Sequence, residues 1–261
     1  MDSVRRTVAV VGWQAHSFRR LWRGSITTSF LNPIFFLVSI GVLLGSLIDE
    51  SNPNLGGLSY LQFVAPALLA TTAMQTAASV TTFPVRAGLK WLRTYHAAVS
   101  TPIRVGELVA GILAWCGVRV IVAVTIFAVV AAIGGAFVSP LAVLAPFAAL
   151  LCGLAFGSVL AAITSSVEGD EWLAAIFRFG LVPLFLFSGT FFPISNLPAQ
   201  LQPIAWLSPL WHGVELSRGL ALGTIGADPL RAVAHVAVLA AVFVAGSWWA
   251  FRTVEARLVR G

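Results

Sequence analysis

Charge is what this sequence has least of. Only 10% of its 261 residues are Asp, Glu, Lys or Arg, and 58% are hydrophobic; a soluble domain carries roughly 25% charged residues. There is more apolar surface than a core of this size can bury, which excludes a soluble globular domain. Cysteine is scarce too. Cys116 and Cys152 both sit inside apolar runs, where they read as small buried hydrophobes and not as a disulfide or a metal site. The chain lacks GxxxxGK[ST], HExxH, CxxC and GxSxG. It therefore has no phosphate-cradling loop, zinc-protease helix, redox pair or nucleophile elbow. The short alternating segments of a membrane β-barrel are missing as well. No short apolar run with a small-residue cleavage site follows Arg5 and Arg6, so no cleaved signal peptide is expected.

What is present is a series of apolar windows longer than about 18 residues, the length that crosses a bilayer core of roughly 30 Å. The expected fold class is an all-α polytopic membrane protein with six transmembrane helices, at 26–48, 60–82, 106–134, 140–164, 172–190 and 230–251. Before the first span, residues 4–23 place Val4, Val8, Val11, Ala15, Phe18 and Trp22 at helical spacing, with Arg5, Arg6, Arg19, Arg20 and Arg23 interleaved. That pattern predicts an amphipathic helix lying in the lipid interface. The formal net charge of +6 does not point to nucleic acid, because the basic residues cluster beside the spans. With the N-terminus inside, 12 of the 16 Arg and Lys fall on inner segments: five before the first span, four in the loop after the second and three at the C-terminus. The positive-inside rule then puts both termini in the cytoplasm.

Three places carry unusual chemistry. The inner loop 83–105 holds "LKWLRTYHAAVSTPIRV", with Leu89, Lys90, Trp91, Leu92, Arg93, Tyr95 and His96 in a short helix (about 89–99) whose face is expected to include Leu89, Leu92, Tyr95 and His96. Thr101-Pro102 reads as the start of the next helix. Inside the spans, Glu107, Arg119 and Arg178 are costly enough to need partners. Arg119 and Arg178 are expected to pair with Glu107, Glu168 or Glu171 or to line a polar path, and snorkelling is the alternative for Arg178. On the outer side, 191–228 is too broken by proline to be one span. Ser195-Asn196 before Leu197-Pro198, and Ser208 before Pro209, read as two helix starts. The expectation is a re-entrant hairpin of two helices of about 12–15 residues, neither able to cross the bilayer. It carries Phe191, Phe192, Pro193, Pro198, Pro209, His212, Glu215 and Arg218. The four histidines are scattered, and only His212 and Glu215 share a helix face, at i, i+3. That pair is too few ligands for a metal, and no catalytic residue is assigned.

The stretch "SGTFFPISNLPAQLQPIAWLSPLWHGVELSRG" (188–219) and the inner "AAVSTPIRVGELVAG" (97–111) resemble the signatures of ABC-2-type exporter permeases, the group that moves drugs, lipo-oligosaccharides and O-antigen polysaccharides. The resemblance covers essentially the whole chain, and the wording at 188–219 is most similar to the drug and lipo-oligosaccharide branch. It implies a non-catalytic permease in the inner membrane of a prokaryote, paired with a second permease subunit, identical or paralogous. It also implies two separate ATPase subunits that bind ATP and Mg. By the resemblance, Leu89 to Pro102 would hold the coupling helix, helix 4–23 with Arg19, Arg20, Trp22 and Arg23 would lie against the ATPase, and the acidic turn 165–171 would be a second contact. No role for Arg119 follows from it. Two other readings compete on the residues. One is a membrane-embedded lipid-modifying enzyme with an outward-facing His212/Glu215 site. The other is a secondary transporter, which expects two related halves with paired broken helices.

Overall fold

The computed structural model describes residues 2–26, 35, 37–39, 57–200 and 202–260; the side chains of 20–26, 204 and 260 are outside that description. Among the described residues there are helices and connecting turns and no strand. Helix α1 (Asp2–Ile26) comes first. The span expected at 26–48 lies outside the described residues apart from 26, 35 and 37–39, and so does most of the loop after it.

Helix α2 (Tyr60–Thr81) starts where expected. The Ser59 side chain accepts from the Gln62 backbone N–H while the Gln62 side chain accepts from that of Ser59, a reciprocal cap. It does not stop at residue 82. After Thr82 the chain continues helically through α3 (Phe83–Arg86) and a π-helical turn (Ala87–Trp91). Only then does Arg93, in the left-handed conformation at φ 50°, break the run and start α4 (Thr94–Val99). The segment 83–105 is thus a helix extension followed by a second short helix and a turn.

Helix α5 (Val105–Ile133) begins three residues later than Pro102. Thr101 is occupied in the turn that closes α4: its hydroxyl donates to the Ala98 carbonyl at 2.6 Å and accepts from the Ile103 N–H at 3.4 Å. The cap of α5 comes instead from Glu107, whose carboxylate accepts the Arg104 N–H at 2.9 Å. A 3₁₀ turn (Pro140–Leu144) leads into α6 (Ala145–Ser166). The region expected to be the fifth span, 172–190, is a shorter helical run made of α7 (Glu171–Ala175), a π turn (Ile176–Leu181) and α8 (Val182–Phe187).

The segment 191–228, expected on the outer side, differs from expectation in its first half. Ile194–Asn196 is a 3₁₀ turn ended by Leu197, and the first helix, α9, spans Gln202–Leu207, six residues and not 12–15. Pro198 and Pro203, both without a backbone donor, leave room for only a short helix here. The second half is as expected. Helix α10 (Pro209–Leu222) is capped by the Ser208 side chain, which accepts from the Leu210 N–H, and ends at Gly223 with φ 76°. After a 3₁₀ turn (Thr224–Ala227), α11 (Pro229–Arg260) runs well past the expected end at 251, since no Gly or Pro interrupts 252–260.

Four helical segments are long and apolar enough to cross a membrane among the described residues: Tyr60–Trp91, Val105–Ile133, Pro140–Ser166 and Pro229–Val259. Helix α2 sits at the centre, packed on α5, α6 and α10, while α11 covers α6 and α1 lies along α5. Small residues set these crossings. A Cβ on Gly153 of α6 would meet Val120 of α5 at 2.8 Å, and one on Gly213 of α10 would meet Cys152 at 2.6 Å. Close approach through glycine is the usual basis of helix packing in lipid, where dispersion replaces the hydrophobic drive.

Candidate functional site

At one end of the bundle, two arginines finish α6. The last four carbonyls of a helix have no intrahelical partner and carry the negative end of its dipole. Arg86, at the end of α3 and nearly fully buried, donates from Nη1 to the Val167 carbonyl at 2.7 Å and from Nη2 to that of Glu168. Arg257 of α11 donates from Nε to the Ser165 carbonyl at 2.9 Å and from Nη2 to those of Ser166 and Val167 at 2.9 and 3.1 Å. The same two guanidiniums reach carboxylates: Arg86 Nε to Asp170 Oδ1 at 2.7 Å, and Arg257 Nη1 to Glu168 Oε1 at 3.4 Å. Asp170 also accepts from Lys90 Nζ (3.2 Å) and Trp91 Nε1 (3.1 Å). These donors, the Arg86 hydrogen bond first, hold the Asp170 carboxyl down at about 2. The extension of α2, the 165–171 turn and α11 are thereby tied into one unit.

The residues 89–102 do not form a single face. Leu89 and Tyr95 are buried, whereas Lys90, Trp91, Leu92 and Arg93 are exposed, Leu92 to 70%. Tyr95 acts as a pin. A Cβ on Gly88 would come within 2.5 Å of its ring, and Trp13 of α1 meets it edge-on at 6.2 Å. Burial pushes its phenol pKa up. His96 is half-buried, and Thr101 and Pro102 are exposed. Arg93's left-handed turn is what sends the chain back beneath α1 and leaves Trp91 and Leu92 at the surface.

Helix α1 reaches the bundle through Val10, which sits over Gly111 of α5; a Cβ there would lie 2.5 Å from the valine. Val4 and Val8 remain exposed. Two of the charges expected within the spans, Glu107 and Arg119, find partners on α1 and not with each other. Glu107 pairs with Arg6 at 3.4 Å. The Arg119 guanidinium lies 3.8 Å from the centroid of the Phe18 ring, a cation–π contact that replaces the expected carboxylate. Phe18 also meets Trp115 at 5.8 Å. Arg178 is exposed, with the Phe179 ring at 5.9 Å, and the described ion pairs give it no carboxylate. Arg19 is exposed; the side chains of Arg20, Trp22 and Arg23 lie outside the described residues.

At the opposite end, Arg218 organises the 191–228 segment. It donates to the Phe63 carbonyl (3.3 Å), the Gly189 carbonyl (2.8 Å) and Glu215 (3.1 Å), and stacks 4.0 Å from the Phe63 ring centroid. It joins α10, the start of α2 and the Ser188–Thr190 turn. The hydroxyl of Tyr60 donates to the Phe191 carbonyl at 3.3 Å, and Phe191 packs edge-on against Phe185 at 4.9 Å. Phe192 and Pro193 are half-buried, Pro198 is exposed, and Pro209 opens α10. The pairing of His212 with Glu215 is not observed. His212 Nδ1 lies 2.7 Å from His235 Nδ1, with Trp211 against both rings, and Glu215 is bound by Arg218 and by Arg231 at 3.2 Å. His235 and Arg231 come from α11, which sequence spacing cannot connect to α10, whereas Arg218 is three residues on from Glu215 in α10 itself.

Arg86, Asp170, Arg257, Arg6, Arg231 and His235 are the residues that sequence reasoning passed over. Two signals were available: the acidic turn facing a basic loop, and the basic residues that the inner side gathers.

The model of the ABC-2 type transporter family matches residues 12–222. Nodulation protein J of Sinorhizobium fredii is 31% identical over 194 residues, covering 74% of this chain and 72% of its own. Nodulation protein J of Rhizobium meliloti is 29% identical over 210 residues, 80% and 78% of the two chains. The inner membrane transport permease YadH of Escherichia coli is 24% identical over 239 residues, 89% and 88% of the two.

Proposed function

The chain belongs to the ABC-2 type transporter family, and from that membership we propose that it is the permease subunit of an ATP-driven exporter. Two such subunits, identical or paralogous, form the path, and two separate ATPase subunits bind ATP and Mg. On this reading the chain has six spans, both termini in the cytoplasm of a prokaryotic cell and its outer segment re-entrant. The cargo is an amphiphile such as a drug, a lipid-linked glycan or a glycolipid.

The observation that carries the reading is the tied inner face. A docking surface can drive a membrane bundle only if the exposed groups are joined stiffly to the spans. Trp91, Leu92 and Lys90 sit on a direct helical extension of α2, and Asp170 links that extension to α6, which Arg257 links to α11. A partner that pushes on the Trp91–Leu92 surface therefore moves three spans together. The enzyme reading loses its site here, since Glu215 is neutralised by two arginines and His212 is engaged by a second imidazole.

Co-expression with candidate ABC ATPase subunits from the same genome tests the reading. The expected result is a stable complex whose ATP hydrolysis is stimulated by the permease and weakened by replacing Thr101 and Pro102. No co-purifying ATPase, together with transport that survives the replacement, would sink it.

A further inference from the structure

Two cavities open side by side along α5. The first, of about 470 Å³, carries the polar side chains Ser3, Thr7, Arg104, Glu107 and Glu255 in an otherwise apolar lining. The second, of about 590 Å³, is apolar, walled by Leu113, Leu154, Phe243 and Val244. They share Gly106, Ala110 and Phe251, so they form one channel with a polar mouth and a greasy floor. Both volumes fall in the range that small-ligand pockets occupy. The floor runs from Gly106 to Gly117, about 16 Å at helical rise, or half of a ~30 Å hydrocarbon core. It therefore has the length of one leaflet. Its floor residues Gly106, Ala110, Ala114 and Gly117 are small where large aliphatic side chains would have filled the gap.

The mouth is charged on both signs. Glu107 is already matched by Arg6. That leaves Arg104, which is exposed, and Glu255, which is half-buried, facing the same space without a described ion pair of their own. A cation and an anion side by side complement a headgroup that carries a phosphate and an ammonium.

We propose that this channel holds one zwitterionic phospholipid of the phosphoethanolamine class. One acyl chain lies along the floor of α5, the phosphate meets Arg104 and the ammonium meets Glu255. The site sits where α1, α5 and α11 meet, so a bound lipid adds to the contacts between the interfacial helix and the bundle. Its assignment to the inner leaflet rests on the orientation proposed above; the site itself does not.

The test uses the full chain reconstituted in nanodiscs of equal phosphatidylethanolamine and phosphatidylglycerol, re-extracted in mild detergent and weighed by native mass spectrometry. The wild type is expected to keep one phosphatidylethanolamine per chain, enriched about tenfold over phosphatidylglycerol, ~1.4 kcal/mol of preference. Ala114→Trp fills the floor and is expected to abolish retention, whereas Val129→Trp, on an outward position of the same helix that is 54% exposed, is expected to retain it. The double change Arg104→Gln with Glu255→Gln leaves the core untouched and is expected to keep a lipid but lose the headgroup preference. Equal retention in Ala114→Trp and wild type overturns the proposal, and so does equal binding of the two headgroups by the wild type. A drop in chains per particle with Ala114→Trp would mean that the channel seats another subunit, which also overturns it. If the exporter reading is what fails, the ATPase is missing from the co-purified complex while lipid retention is unchanged.

Discussion

Arg86→Gln removes the guanidinium that closes the 165–171 turn, and the loss can be sized from its contacts. The bond to Asp170 is made at a side chain 42% exposed, so solvent screens it to a small share of the loss. The two carbonyl bonds come from a charged donor, at about 1.5–3 kcal/mol each. The turn is open enough for Val167 and Glu168 to regain water, and Gln can keep one of the two. A net loss of about 2 kcal/mol is expected, or ~4–8 °C in the apparent midpoint for a chain of this size. Tryptophan fluorescence on heating in detergent reads it, since the chain has nine tryptophans. Asp170→Asn should act through the same contact, so the two changes together should cost less than their sum. The pH dependence has a fixed sign. The Asp170 carboxyl is held down at about 2, so its contribution is fully present above the ordinary carboxylate range near ~4 and is lost as pH falls through about 2. The gap between wild type and Asp170→Asn should stay flat from about pH 8 to 5 and close below ~4. A midpoint for Arg86→Gln within about 1 °C of wild type, or strictly additive losses, would refute the reasoning.

Gly111→Leu drives a side chain into Val10, which a Cβ already approaches to 2.5 Å; overpacking of about 1–3 kcal/mol should release α1, read as faster tryptic cleavage after Arg19. Arg218→Met leaves the Phe63 and Gly189 carbonyls without their donor and should lower the midpoint by at least as much as Arg86→Gln, while Arg231→Gln, at an exposed pair, should shift it by about 1 kcal/mol or less. Leu92→Asp, at a position 70% exposed, should leave thermal stability within ~0.5 kcal/mol of wild type yet prevent ATPase co-purification. Unchanged association would remove Leu92 from the docking surface.

The elements that could be read from sequence are those with local causes. Ser59, Ser208 and Gly223 cap their helices with side chains or a backbone conformation found within a few residues. The starts of α2 and α10 were therefore legible. The errors have non-local causes or competing local ones. Thr101-Pro102 has the composition of a helix start, but Thr101 is engaged by the turn behind it. The partners of Arg119, Glu107 and His212 lie on helices 23 to 101 residues away. Apolar sequence constrains which residues enter the membrane but not which helices become neighbours, so a hidden arginine announces that it needs a partner without naming it. The continuation of α2 to Trp91 was missed because Pro84 reads as a stop. It sits in the first turn of α3, where its missing donor costs little.

The double arginine cap of α6 also sets an order of events during synthesis. Arg257 emerges 92 residues after the Ser165 carbonyl it binds. Until it arrives, Arg86 holds only the Val167 and Glu168 carbonyls just past the end of α6, and those of Ser165 and Ser166 lack their arginine donor. This end of the bundle is therefore finished late, after α11 has been made, and a ribosome-stalled chain lacking residue 257 would present a loose 165–171 turn to any partner waiting there.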